Sequence, residues 1–208
     1  MSYPLDDTIA AVSSPPGGAA RGIVRLSGPN VLACLEGIFS PSPEHKELPS
    51  ASATSIVTGT LQVSGINSPI PSDVYLWPNR RSYTGQPAAE IHTLGSGPLL
   101  ERIVGELAAA GARPAQPGEF TLRAFLAGRL DLTQAEAVLG VIDAADPGQL
   151  DVALAQLAGG LATPLNGLRD SLLELLAHLE AGFDFADEDL SFIDREQLDA
   201  QLADAARV

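Results

Sequence analysis

The chain has 208 residues, a formal net charge of −14 and one cysteine, Cys34. That length suffices for one large domain or two small ones, and a single cysteine excludes an intramolecular disulfide, as suits a reducing compartment. The charge is uneven, 7 Lys/Arg against 10 Asp/Glu in residues 1–120 and 5 against 16 in residues 121–208, so the acidic half argues against an unaided grip on a nucleic-acid backbone.

The opening "MSYPLDDTIAAVSSPPGG" has no basic region ahead of an apolar segment and does not read as a signal peptide. No run reaches about 18 apolar residues, so no membrane span is predicted and the cytoplasm is the expected compartment. "DTIAAVSS" (Asp7–Ser14) and "GIVRLSG" (Gly22–Gly28) read as strands around the turn "PPGGAA". "VLACLEGIF" (Val31–Phe39) reads as a short helix with Cys34 on its apolar, core-facing side. A Pro/Ser-rich loop follows. "ATSIVTGTLQV" (Ala53–Val63), "SDVYLWP" (Ser72–Pro78) and "AAEIHTL" (Ala88–Leu94) then read as strands. "GPLLERIVGELAAAGA" has Leu99, Leu100, Ile103, Val104 and Leu107 at helical spacing and ends at Gly111.

After Pro117 the strand signals vanish, and Leu and Ala recur every three or four residues. The pattern predicts an α+β part over residues 1–120 and an all-α part over residues 121–208. "PGEFTLRAFLAGRLDLTQAEAV" (Pro117–Val138) is expected to be the hinge between them. In it, Thr121 would cap a short helix that carries Phe125 and Leu126 into the core, and Gly128 would end it. Thr133 and Glu136 would form the capping box of the next helix. Arg123 is expected to pair with a nearby carboxylate. Gly159, Gly160 and Pro164 suggest a break before a leucine stripe of Leu165, Leu168, Leu172, Leu175, Leu176 and Leu179, the pattern of bundle packing.

No chemistry-bearing motif stands alone in this chain. His45, His92 and His178 lie far apart with no ligand spacing, so no metal site is predicted. There is no G-x-S-x-G and no G-x-x-x-x-G-K-S/T, so neither a serine hydrolase nor GTP hydrolysis by this chain is expected, and no catalytic residue is assigned. What remains is Arg25 inside an apolar strand, Glu90 inside another, and Arg129 after Gly128. Such residues snorkel, pair with one another, or meet a ligand.

Four segments, "DTIAAVSSPPGGAARGIVRLSG", "SYTGQPAAEIHTLGSGP", "ARPAQPGEFTLRAFLAGRLDLTQAEAVLGVIDA" and "FDFADEDLSF", follow one another in the order and spacing of the MnmE (TrmE) family of tRNA-modification GTPases, which the chain resembles over nearly its whole length. The resemblance implies a tetrahydrofolate-binding and dimerising domain with a glycine-cleavage T-protein-like fold, followed by part of a helical domain. The G domain, with its GTP, Mg and K, is not within this chain. It implies a 5-formyl- or 5,10-methylene-tetrahydrofolate as one-carbon donor, and folate contacts at Arg25, Glu90 and Arg129. It further implies a homodimer and an MnmG (GidA)-like FAD protein as partner, with tRNA bound by the full complex and modified at the wobble uridine. The chain reads "TGQP" (Thr84–Pro87) where the family reads "TGED", "LGS" (Leu94–Ser96) where it reads "HGG", and "PPGGAA" (Pro15–Ala20) where it reads "PPGRGG". These departures motivate the alternative of a dimerisation or scaffold module without folate binding or catalysis.

Overall fold

A computed structural model describes residues 5–44, 53–184 and 193–207. The chain divides into two compact units, Met1–Arg129 and Leu130–Val208. The division falls after Arg129 rather than near residue 120, so the helix holding Arg123 belongs to the first unit.

The first unit is built on a seven-stranded sheet with the order β3-β4-β5-β6-β2-β1-β7. Its strands are β1 (Ile9–Val12), β2 (Ala19–Ser27), β3 (Phe39–Pro41), β4 (Ser55–Leu61), β5 (Ile70–Trp77), β6 (Ala88–Gly95) and β7 (Arg113–Pro114). All neighbours are antiparallel except β1 and β7, which run parallel. Strand alternation sorts the side chains to two faces. Val24, Leu26, Val57, Leu61, Val74, Leu76, Ala89 and Ile91 form one core cluster with Val31, Cys34 and Leu35 of α1 (Val31–Glu36) and Leu100, Ile103 and Leu107 of α2 (Gly97–Ala109). Cys34 is buried within it, donates to the Ala110 carbonyl at 3.4 Å, and has its thiol pushed up by burial. The core reading of that residue is therefore correct. The opposite face holds Arg25, Tyr75, Glu90 and His92, all half-buried.

Three local expectations need correction. The helix expected over Val31–Phe39 stops at Glu36, because Phe39 turns into the edge strand β3 opposite Leu61 of β4. In α3 (Glu119–Leu126) the buried face is Glu119, Arg123 and Ala124, while Phe125 and Leu126 are exposed, and Gly118 rather than Thr121 is the N-cap. The i,i+4 pair Glu119–Arg123 lies on one face, and its ion partners in the first unit draw that face inward. In α4 (Leu132–Asp143) the capping box is Asp131 with Gln134, not Thr133 with Glu136. Asp131 Oδ1 accepts the Gln134 N–H at 2.8 Å and Gln134 Oε1 accepts the Asp131 N–H at 3.0 Å. "DLTQ" satisfies the same three-residue spacing as "TQAE", and the earlier start adds a half-turn of helix.

The second unit also contains α5 (Pro147–Leu157), α6 (Ala162–Asp184) and α7 (Arg195–Ala205). Helices α4 and α5 approach on small residues: a Cβ on Gly140 would stand 3.3 Å from that of Ala153. They also exchange amide hydrogen bonds, from Gln134 to the Leu157 carbonyl and from Gln156 to the Thr133 carbonyl. Of the leucine stripe on α6 only Leu175 is buried, while Leu165, Leu172 and Leu176 stand exposed. Alanine and glycine, not leucine, fill the α4–α5 contact. Most of the acidic segment Phe183–Phe192 lies outside the described residues.

Candidate functional site

Strand register builds the site. In the antiparallel β2–β6 pair, Arg25 stands directly opposite Glu90. Arg25 Nε donates to Glu90 Oε1 at 2.9 Å and Arg25 Nη2 lies 2.8 Å from the same oxygen. Glu90 Oε2 meets His92 Nε2 at 3.2 Å, and the His92 ring leans on Tyr75 with centroids 4.3 Å apart. The guanidinium carbon of Arg25 sits 5.9 Å from the Tyr83 ring centroid and 5.8 Å from that of Phe120. Both aromatic contacts suit a cation. Phe120 comes from the first turn of α3 and Tyr83 from the 78–87 loop, and the Tyr83 hydroxyl reaches that of Thr121 at 3.2 Å.

Arg25, Glu90, Tyr83, Phe120, Trp77 and Thr84 line a cavity of about 200 Å³. A larger cavity of about 750 Å³ adjoins it, and Thr84 lines both. Arg129 lies on the larger one, with Arg80, Gln86 and Arg123. The structure thus brings Arg25 and Glu90 into contact and sets Arg129 on the neighbouring wall. Gly128, at φ 67, ends α3 in the left-handed conformation and turns the chain into Arg129. The Arg129 Nη2 group then donates to the Arg80 carbonyl.

The 78–87 loop separating the two cavities is clamped from several sides. Buried Thr84 and Ser27 share a hydroxyl hydrogen bond at 2.6 Å. Gly85, at φ 70, lies so close to α3 that a Cβ there would come within 2.7 Å of the Ala127 Cβ. Gln86 donates to the Leu5 carbonyl at 2.7 Å and accepts from Arg123 Nη1 at 3.1 Å.

Behind the loop lies a network of alternating charge, Asp7–Arg113–Glu119–Arg123. Arg113 donates to both Glu119 oxygens, at 2.6 and 3.0 Å, and to Asp7 at 2.7 Å. Arg123 reaches Glu119 at 3.0 Å and also pairs with Asp7. The expected carboxylate partner of Arg123 is therefore double. Burial pushes the Glu119 carboxyl up, but the bonds from Arg113, the Gln116 N–H and Arg123 outweigh it and hold it at about 2. Asp7 follows the same balance, raised by burial and drawn below its ordinary value by the two arginines.

Two family profiles match the chain. One described as GTP-binding protein TrmE N-terminus covers residues 8–129, and one described as MnmE helical domain covers residues 132–207. The chain belongs to the MnmE family. Among curated relatives, the tRNA modification GTPase MnmE of Rhodopirellula baltica is 52% identical over 204 residues, covering 97% of this chain and 43% of the relative. The same-named proteins of Heliobacterium modesticaldum and Opitutus terrae are 42% and 40% identical over 98% and 96% of this chain, and 44% and 42% of their own lengths. The chain thus spans less than half the length of these MnmE relatives. The two profiles meet between residues 129 and 132, where the two units divide.

Sequence reasoning passed over Tyr83, Phe120, Thr84 and the Asp7–Arg113–Glu119 members of the network. Tyr83 and Phe120 sit inside the MnmE-like segments "SYTGQP" and "PGEF", so position within those segments was the available signal. Asp7 lies 106 residues from Arg113 in sequence, and nothing local marks them as partners.

Proposed function

We propose that the first unit binds a reduced folate, a 5-formyl- or 5,10-methylene-tetrahydrofolate, as the one-carbon donor for modification of the tRNA wobble uridine. One observation carries the reading: a carboxylate and a guanidinium held in cross-strand contact beside two aromatic rings, on the wall of a cavity. Glu90 offers two oxygens with about four lone-pair sites. Arg25 and His92 occupy part of that capacity and fix the carboxylate's orientation. The remainder faces a pterin edge, whose paired N–H donors match a carboxylate. Tyr83 and Phe120 supply apolar faces for the ring, and on the adjoining larger cavity, whose wall shares Thr84, Arg129 meets a carboxylate of the folate tail. The folate supplies the one-carbon unit, and the residues of this chain bind and orient it.

In the whole protein this binding would serve an MnmG-like FAD partner and tRNA in the cytoplasm, with GTP, Mg and K handled by the G domain. The test is calorimetric titration of the chain with 5-formyl-tetrahydrofolate. Saturable binding at micromolar affinity, the range typical of a modest ligand site, is expected. Absence of saturation at millimolar folate would defeat the proposal.

A second reading, a dimerisation scaffold without folate, is favoured by two positions. Gln86 stands where the family has an acid and is engaged by Arg123 and Leu5, and Leu94, where the family has histidine, is exposed. The same titration decides between them. Both readings include a homodimer through the first unit, whose open sheet face carries exposed Ile56 and Leu94. Light scattering at tens of micromolar, a range in which weak dimers begin to dissociate, should report twice the chain mass. A monomer there would count against the dimer.

A further inference from the structure

We propose that the larger cavity reads the length of the folate tail, binding a chain of γ-linked glutamates through Arg80 and Arg129. The inference rests on the folate reading above and extends it to a substrate form.

The small cavity, about 200 Å³, is sized for a ring system, whereas the adjoining one offers about 750 Å³. A single terminal glutamate leaves most of that space empty. The chemistry of its wall is unusual for this chain. In a protein of net charge −14, three arginines line one cavity, with Asp6 as the carboxylate among its lining residues. Arg123 is neutralised by Glu119 and Asp7. Arg80 and Arg129 are not: among the described residues neither guanidinium joins an ion pair. Both are exposed. The Arg129 guanidinium also donates to the Arg80 backbone carbonyl, which ties it to the loop that carries Arg80.

Two guanidiniums lining one cavity form a receptor for successive carboxylates, because each planar fork matches one carboxylate. Every added γ-linked glutamate contributes one α-carboxylate along an extended chain, whereas a monoglutamate contributes its two carboxylates at a single residue. Arg129, whose Nε would lie 3.8 Å from a Cβ on Gly85 next to Thr84, takes the first glutamate, and Arg80 takes a later one. Asp6 opposes the tail and limits the gain.

The experiment titrates the chain with 5-formyl-tetrahydrofolate in its monoglutamate and pentaglutamate forms, for the parent and for Arg80→Ala and Asp6→Asn. The parent should bind the pentaglutamate roughly tenfold more tightly, the size of one added charge-assisted contact, and the difference should shrink at high ionic strength. Arg80→Ala should lose most of that difference while keeping its monoglutamate affinity within about twofold. Asp6→Asn should enlarge it. Both residues are exposed, so both variants should melt with the parent. Equal affinity for the two forms overturns the tail site and leaves the folate reading standing. A pentaglutamate advantage that survives Arg80→Ala also overturns it, by placing the tail elsewhere. Failure of both forms to bind removes the folate reading and this inference together.

Discussion

Arg123→Ala is expected to destabilise the first unit by about 3–5 kcal/mol, the cost of removing one partner from a buried ion pair. Its side chain is 2% exposed and that of Glu119 is 1% exposed, so solvent replaces nothing that the arginine supplies. The loss is also spread over three elements. Arg123 Nη1 donates to the Asp7 carbonyl at 2.8 Å and to Gln86 at 3.1 Å, and Nη2 pairs with Asp7 and Glu119. One substitution therefore releases the N-terminal segment, the 78–87 loop and α3 at once. Thermal melting should fall by roughly 10–20 °C for a domain of this size. Arg123→Lys should recover only part, because an ammonium keeps the charge without the fork. A melt within about 3 °C of the parent would remove the network from the account of stability.

The same network sets an acid limit. The Glu119 carboxyl is held at about 2, against 4.5 ordinarily. Its contribution is complete above the ordinary value and is lost as pH falls through the folded one, an interval worth about 3 kcal/mol. Urea unfolding followed from about pH 5 down to about pH 2 should show this decline in the parent. Arg123→Ala should flatten it only in part, because Arg113 and the Gln116 N–H still hold the Glu119 carboxyl down.

Glu90→Ala is expected to weaken reduced-folate binding by about a hundredfold or more. Two hydrogen bonds to an ionised acceptor contribute about 1.5–3 kcal/mol each, and a hundredfold corresponds to about 2.7 kcal/mol. Glu90→Gln retains one acceptor oxygen and should lose about tenfold. Neither change should disturb the fold much, since Arg25 and Glu90 are 35% and 20% exposed at the side chain and such partly solvated pairs contribute little to stability. Calorimetry with circular dichroism as the folding control separates the two effects. Binding by Glu90→Ala within threefold of the parent, well inside a single hydrogen bond's worth, would place the pterin elsewhere.

The strands around the site were legible because period-two alternation leaves a local trace. "SDVYLWP" and "AAEIHTL" were read close to β5 and β6 for that reason. The short strands β3 and β7, of three and two residues, were not, since so few positions carry no period. In the hinge segment the leucine and phenylalanine of "RAFLAG" suggested a buried apolar face. The tertiary ion network overrode that local preference and turned Glu119 and Arg123 inward. The site itself was half legible. Arg25 and Glu90 stood out as charges inside apolar strands, but their contact depends on a pairing across 65 residues, which no local pattern encodes. The position of Arg129 on a separate cavity follows from how the 78–87 loop folds against α3, again a non-local matter.

The β2–β6 register has a consequence for how this chain can change length. Arg25 faces Glu90 because each strand places every second residue on the site side, with Val24 and Ala89 turned to the core. Deleting one residue within β6 would swing the carboxylate into the hydrophobic cluster and an alanine out to the guanidinium. No intermediate slip preserves half of the pair. The loop between β5 and β6 obeys no such parity, so residues can be added near its exposed Arg80 and Arg81 tip at the modest entropic cost of a longer loop. Length variation at that tip would reshape the wall of the larger cavity and leave the Arg25–Glu90 pair in place.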